Sequence, residues 1–159
     1  MSYDYNSWEP VKISVDDLTE RETELLRDSE TFCIYPWIHM HTYPTGETWP
    51  CCHAEMSAGC VGTTKIDSLN DLANSERMKE LRLDMLNNKK NSYCTRCYEQ
   101  DEAGFFSGRK SANKHHGQHI KRVAETQADG TYNNFTMTYW DVRFSNLCNL
   151  KCRSCGHIF

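Results

Sequence analysis

Nine cysteines are the residues of this 159-residue sequence with most chemical potential, because a thiolate is both a nucleophile and a ligand for soft metals. Three of them, Cys148, Cys152 and Cys155, follow one another in a C-x3-C-x2-C spacing. A loop this short turns three thiolates toward three corners of an iron–sulfur cube. It offers no fourth cysteine, so one iron would keep an open position. The alternative is a zinc knuckle or a set of structural cysteines.

A second group consists of four cysteines from separate parts of the chain: Cys33, Cys51, Cys94 and Cys97. Four thiolates close a tetrahedral zinc site or hold a complete four-iron cluster. Their spacing does not choose between the two, and without the terminal cysteine motif zinc would be favoured. Of the remaining cysteines, Cys60 is expected to be a small buried hydrophobe. Cys52 belongs with His39 and His41, as ordinary cross-strand neighbours rather than a metal site.

The composition limits the class of protein. Hydrophobic residues make up 38% and charged residues 25%, a globular balance on the polar side. The sequence has no apolar run near the ~20 residues of a membrane span, and its first residues do not read as a signal peptide. We therefore expect a cytoplasmic protein with reduced thiols, in which cysteines serve metal or redox chemistry. A net charge of −4 makes a nucleic-acid partner unlikely.

The elements before the first cysteine are a polar segment and a helix, within residues 1–31. Ser14 is the expected N-cap, with Asp17 as its capping-box partner. An apolar stripe identifies the face that packs on the core. Its members are Val15, Leu18, Leu25 and Leu26.

Residues 32–54 predict a β-hairpin, with strands at 34–43 and 47–52 around the turn Pro44-Thr45-Gly46. A two-residue loop would pair Tyr43 with Thr48. Alternation along the strands then separates the neighbouring cysteines. Cys51 shares the apolar face with Ile38, Met40 and Trp49, whereas Cys52 shares the more polar face with His39 and His41.

Three later segments also have predicted structure. Ser68 caps a short turn, and a firmer helix runs from Asn74 or Ser75 to about Leu86. The Cys94-x2-Cys97 pair opens another helix through Glu102. Residues 105–135 are predicted to be a basic, solvated connector, in which His115, His116 and His119 are not a metal site. The aromatic and β-branched run at 139–144 predicts a strand directly before Cys148, as at the C-terminal end of a barrel strand.

These motifs together resemble the radical S-adenosylmethionine (SAM) enzymes. The terminal cysteine loop looks like their cluster motif, and residues 32–104 look like the auxiliary module called twitch, a short relative of the SPASM domain. That module commonly follows the radical SAM domain, so the nearer likeness is a subset in which it comes first. The matching segments are Cys33–Trp37, the turn at Gly46, Trp49–Cys52, Gly59–Gly62, Asp67–Leu72, the helix with Arg77 to Arg82, Cys94–Cys97 and residues 139–156.

The resemblance implies an α+β fold: a twitch-like hairpin with helices, then the first strand and cluster loop of a partial (β/α) barrel, at 136–159. It implies a SAM-binding [4Fe-4S] cluster on Cys148, Cys152 and Cys155, and SAM on the open iron. An auxiliary [4Fe-4S] cluster would be held by the other four cysteines, either to relay electrons or to brace the structure.

The implied activity is SAM cleavage that starts radical oxidation or modification of a peptide or small molecule, with a low-potential electron donor. The sequence ends shortly after the first predicted barrel strand. We therefore expect it to be the front part of a longer enzyme and inactive alone. The alternative function is a non-catalytic, structural zinc-binding module.

Overall fold

The computed structural model describes residues 17–141, which form short helices around a small sheet. The first helix, α1 (Glu20–Thr23), continues as a π-helical turn, Glu24–Asp28. Its N-cap is Thr19, which forms a capping box with Glu22. The predicted cap, Ser14, lies outside the described residues. Leu25 is buried, and Leu18 and Leu26 pack against the core, so this part of the apolar stripe is confirmed.

The sheet is an antiparallel meander of three short strands. They are β1 (His41–Thr42), β2 (Glu47–Trp49) and β3 (Gly62–Thr63). The residues expected to begin the first strand instead form a 3₁₀ turn, Tyr35–Trp37, since Pro36 favours the start of a helical turn.

The hairpin register differs by one residue from the prediction. His41 pairs with Trp49 and Thr42 with Thr48. The reason is a three-residue loop: the amide of Tyr43 donates to the carbonyl of Glu47 at 2.9 Å, and the amide of Gly46 donates to Tyr43 at 2.8 Å. Gly46 has φ +92°, the left-handed position that such loops place before the second strand.

The helices after the sheet agree closely with the sequence-based prediction. They are α2 (Leu69–Ala73), α3 (Glu76–Leu86) and α4 (Thr95–Glu102), with a 3₁₀ turn at Ser92–Cys94. Ser68 caps α2 by accepting from the amide of Asp71, as predicted. Met78, Leu81 and Met85 on α3 are buried, which confirms its apolar face.

The chain between 105 and 135 is more ordered and more buried than a solvated connector. It forms α5 (Gly108–His116) and then 3₁₀ turns over Gly117–Glu125. Ala112, Ile120 and Val123 are buried in the same core as the residues around Cys33 and α3. The prediction failed here because a face this narrow, flanked by basic residues, leaves no sustained hydrophobic period to detect.

Arg82 lies at the centre of this core with no solvent exposure. Its guanidinium donates to the carbonyls of Pro36 (3.0 and 3.1 Å), Ala73 (2.7 Å) and Gly130 (3.1 Å). Burial lowers its pKa to about 10, so it remains charged at neutral pH. This side chain therefore connects the turn after Cys33, the C-terminal end of α2 and the loop around Gly130.

We predict that Arg82→Met destabilises the fold by about 3 kcal/mol, because three buried carbonyls would lose their donors. The free energy of unfolding in urea measures this loss. Arg27→Met, on the exposed π-helical turn, is the matched control and should change stability by less than about 0.5 kcal/mol. Equal stability of the two variants would contradict the structural role assigned to Arg82.

Candidate functional site

The four cysteines of the second group are presented by three separate segments. Cys33 lies two residues before the 3₁₀ turn at Tyr35–Trp37, whose N-cap is Ile34. Cys51 follows β2, which ends at Trp49. Cys94 is the N-cap of α4 and Cys97 lies in its first turn. An i, i+3 pair at a helix start faces one side of the helix, so this last segment supplies two thiols to one place.

These four thiols share one poorly solvated environment. Burial and then the neighbouring Cys94 raise the pKa of Cys33, and burial followed by Cys33 and Cys94 raises the pKa of Cys51. Burial and then Cys97 raise the pKa of Cys94 to about 12. These effects place the four thiols in one region of the fold, although they are up to 64 positions apart along the chain.

Each of the four sulfurs also accepts a hydrogen bond that opposes the effect of burial on its pKa. The donor is the amide of Tyr35 for Cys33 and the amide of His53 for Cys51. For Cys94 it is the hydroxyl of Tyr98. For Cys97 the donors are the amides at positions 109 and 108, at the start of α5. Hydrogen bonds to the ligand sulfurs are among the features that set the potential of an iron–sulfur cluster.

The other two described cysteines lie beside further groups. Cys52 acts on Cys51 and, as Cys51 does, on the phenols of Tyr35 and Tyr139, whose pKa values are raised first by burial. Cys60 lies beside Arg77 and packs partly buried against the core. The strand argument for choosing Cys51 over Cys52 was wrong in its register, since β2 has ended before both. The electrostatic neighbours of Cys51 still favour it as the ligand.

Within residues 17–141, no three His, Cys, Asp or Glu side chains converge tightly enough to hold one metal ion. Over the same range, no helix has the length and apolar character needed to cross a membrane. The terminal loop with Cys148, Cys152 and Cys155 lies outside the described residues, as does half of the strand predicted at 139–144; the other half, residues 139–141, does not form a strand.

The donor set does have a counterpart among known proteins. Residues 33–98 match the SPASM family of iron–sulfur cluster-binding domains. The matched segment contains all four cysteines of the second group and ends within α4. No curated protein and no solved structure gave a significant match to the chain.

Two sequence-based expectations are confirmed, one by the SPASM match and one by the fold. The resemblance to SPASM and the iron–sulfur chemistry it implies hold for residues 33–98. The α+β class is confirmed by the helices and three-stranded antiparallel sheet. The radical SAM part of the resemblance falls on residues beyond this match.

His39 and His41 do not lie on a wet face of the hairpin, which corrects the sequence-based prediction. They are 0% and 1% exposed, because residues 138–141 pack over them. Nδ1 of His39 lies 3.0 Å from the carbonyl oxygen of Tyr139. Nδ1 of His41 lies 3.1 Å from a carboxylate oxygen of Asp141. The amide of Thr138 donates to the carbonyl of Ile38 at 2.9 Å.

An aromatic cluster joins the same segment to the turn after Cys33. The rings of Tyr35 and Tyr139 are stacked, with centroids 5.4 Å apart and 14° between their planes. His39 and His116 pack on Tyr139 at 4.6 and 5.0 Å. His116, one of the three histidines in the segment after Arg109, therefore packs on an aromatic ring, whereas His115 is exposed. Sequence reasoning missed this cluster because its members are spread over 100 positions.

We predict that Cys51→Ser abolishes auxiliary cluster binding, whereas Cys52→Ser retains it, because the thiol of Cys51 lies near those of Cys33 and Cys94, which raise its pKa after the larger effect of burial. Iron content and the EPR spectrum of the reduced, reconstituted proteins provide the measurement. The adjacent substitution is its own matched control. Loss of the signal in the Cys52 variant alone would show that the other cysteine of the pair is the ligand.

A second prediction concerns acid stability. Burial lowers the pKa of His39 to about 4, against about 6.5 in an unfolded chain. The unfolded state therefore binds more protons between these values, so stability is lost as pH falls through this window. From pH 7.5 to 5.5 this group should cost about 1 kcal/mol of unfolding free energy.

His39→Gln keeps a side-chain donor but cannot titrate, so it should lose less stability over that pH range than the parent. The exposed His115→Gln is the control and should follow the parent. Urea unfolding at the two pH values measures the difference. A parent and a His39→Gln variant with the same pH dependence would contradict the assignment of a neutral, buried His39.

Proposed function

We propose that this chain is the N-terminal part of a radical SAM iron–sulfur enzyme, with an auxiliary [4Fe-4S] cluster on Cys33, Cys51, Cys94 and Cys97. The observation that carries the proposal is the combination of two cysteine sets in one chain. One set belongs to a segment that matches an iron–sulfur domain and has four buried or partly buried thiols in one region of the fold. The other set, Cys148, Cys152 and Cys155, has three members and the spacing of a SAM-binding cluster loop.

The residues present fit a cluster with full cysteine ligation. Four thiolates are the usual ligand set of a [4Fe-4S] cluster, and each sulfur here has a hydrogen-bond donor of its own. When bound, such a cluster supplies one-electron chemistry. The protein's part is to hold the sulfurs, direct amide and hydroxyl donors at them, and keep water away. Trp49 and Tyr93, both buried near these segments, contribute to that exclusion.

Four cysteine ligands would leave no iron of the auxiliary cluster open, so this cluster would not bind substrate directly. Electron relay and structural bracing remain the two roles consistent with that ligand set. The packing of residues 138–141 on the module is relevant to both. Cys148 follows Asp141 by seven residues in the sequence, and Asp141 contacts His41 of β1.

The three-cysteine set would bind the cluster that carries SAM. In radical SAM enzymes the open iron of that cluster holds the amino and carboxylate groups of SAM, whose cleavage starts radical chemistry. The parent enzyme would then oxidise or modify a peptide or small molecule, and would draw electrons from a low-potential donor. We place it in the cytoplasm, where such thiols remain reduced.

The rival function is a structural zinc module, which four cysteines also suit. Metal content decides between the two. We predict about eight irons per chain after anaerobic reconstitution of residues 1–159, from two four-iron clusters. The double variant Cys94→Ala/Cys97→Ala should hold about half of them, and Cys152→Ala/Cys155→Ala should hold the complementary half. Mössbauer spectra distinguish cluster iron from adventitious iron.

SAM provides the second arm of the same experiment. Its addition should change the EPR spectrum of the reduced Cys94→Ala/Cys97→Ala variant, which keeps the open iron. The Cys152→Ala/Cys155→Ala variant, whose remaining cluster is fully ligated, should show no change. A parent chain that binds stoichiometric zinc and no iron would refute the proposal.

A further inference from the structure

The support for the auxiliary site continues beyond the segment that matches the SPASM family. That segment ends at residue 98, yet α5 (Gly108–His116) contacts each of the three cysteine-bearing segments. The contacts come from one face of the helix and from its N-terminus. They are made by residues about 80 positions away from Cys33 along the chain.

The first contact is made by Asn113, which is only 7% exposed. Its Oδ1 accepts from the amide of Ile34 at 3.0 Å, and its Nδ2 donates to the carbonyl of Phe32 at 3.1 Å. The side-chain amide thus holds the peptide groups on both sides of Cys33. A side chain that binds a donor and an acceptor on the two residues flanking a third leaves the backbone of that third residue little freedom.

The second contact is made by Arg109, 4% exposed. Its Nη1 donates to the carbonyls of Phe32 at 3.2 Å and Ser29 at 2.8 Å, while Nε and Nη2 both bind the Asp101 carboxylate. Asp101 belongs to α4, so this ion pair joins α5 to the helix that presents Cys94 and Cys97. The guanidinium is therefore bound between the backbone beside Cys33 and that helix.

The third contact is the start of the helix itself. A β-carbon built on Gly108 would lie 3.3 Å from three atoms of the His53 ring, so α5 begins in close contact with the turn that bears Cys51. The amides at 108 and 109 lie at this start of the helix. Ser107 caps the helix by accepting from the amide of Lys110 at 3.3 Å, which fixes the direction of these first amides.

We propose that α5 is part of the cluster site, with Asn113 and Arg109 as positioning residues that hold the Cys33 segment and tune the auxiliary cluster. The inference rests on the proposed function, since it assumes that these cysteines bind iron. Asn113 acts through the backbone on either side of Cys33. Arg109 acts through the same backbone and through its charge, which stabilises the more negative, reduced state of a nearby cluster.

The test uses the full chain with Cys152→Ala and Cys155→Ala, so that the auxiliary cluster is the one observed. In this background Asn113→Leu removes both hydrogen bonds at similar volume and should retain less than half of the iron. Asn113→Asp keeps the acceptor for Ile34 and should fall between Asn113→Leu and the parent. Asn134→Leu is the matched control: an exposed asparagine that donates to Glu125 at 2.8 Å, whose loss should leave iron content unchanged.

The reduction potential separates tuning from simple structural support. Arg109→Gln removes the charge and should move the midpoint potential of the remaining cluster to a more negative value. Removing its partner as well, in Arg109→Gln/Asp101→Asn, restores neutrality and should return the potential toward that of the parent. Loss of packing alone would lower the iron content of both variants, and the second substitution would not return the midpoint potential toward that of the parent.

The outcomes are distinct. A parent background that holds no iron refutes the proposed function rather than this inference. If Asn113→Leu does not fold by circular dichroism, Asn113→Asp decides the positioning role. Asn113→Asp with the iron content of the control, together with an unchanged potential in Arg109→Gln, would overturn the inference.

Discussion

The structure depends on the enclosure of four cysteine thiols in one poorly solvated space. Four thiolates repel one another, and burial penalises each of them further. A fold that brings them together must therefore supply compensation, and a bound cationic cluster is the largest source of it. The protein contributes smaller effects, from backbone amides and one tyrosine hydroxyl that lower the pKa values of the thiols against burial.

The geometry of that enclosure is maintained by charges and amides buried elsewhere in the core. Arg82 ties the turn after Cys33 to the end of α2 and to the loop around Gly130. Asn113 holds the peptide groups on either side of Cys33. Both side chains satisfy main-chain groups that no regular sheet or helix pairs, which is how a domain with such short strands keeps irregular segments in place.

The site is also connected to the chain that leads toward the terminal cysteine motif. His39 and His41, buried behind β1, contact residues 139 and 141, and Tyr35 stacks on Tyr139. The turn that presents Cys33 and the segment that approaches Cys148 therefore share one aromatic cluster. In the proposed enzyme this contact would fix the auxiliary module relative to the start of the catalytic domain, whichever of the two roles its cluster has.

The sequence by itself determined the elements whose signals are local. Cap residues and helical spacing identified α2, α3 and α4. Cysteine spacing, together with the motifs around the cysteines, identified the iron–sulfur module. These features depend on neighbours within a few positions, so they are visible in a linear pattern.

The tertiary structure alone decided the hairpin register, the burial of His39 and His41, and the part played by α5. The register depended on whether the loop had two or three residues, which Pro44-Thr45-Gly46 permits in either form. The burial of the histidines depended on a segment about 100 positions later, and Asn113 reaches Cys33 across about 80. A lone asparagine or histidine carries no local signal for such a contact, because its partners are main-chain groups that every residue possesses.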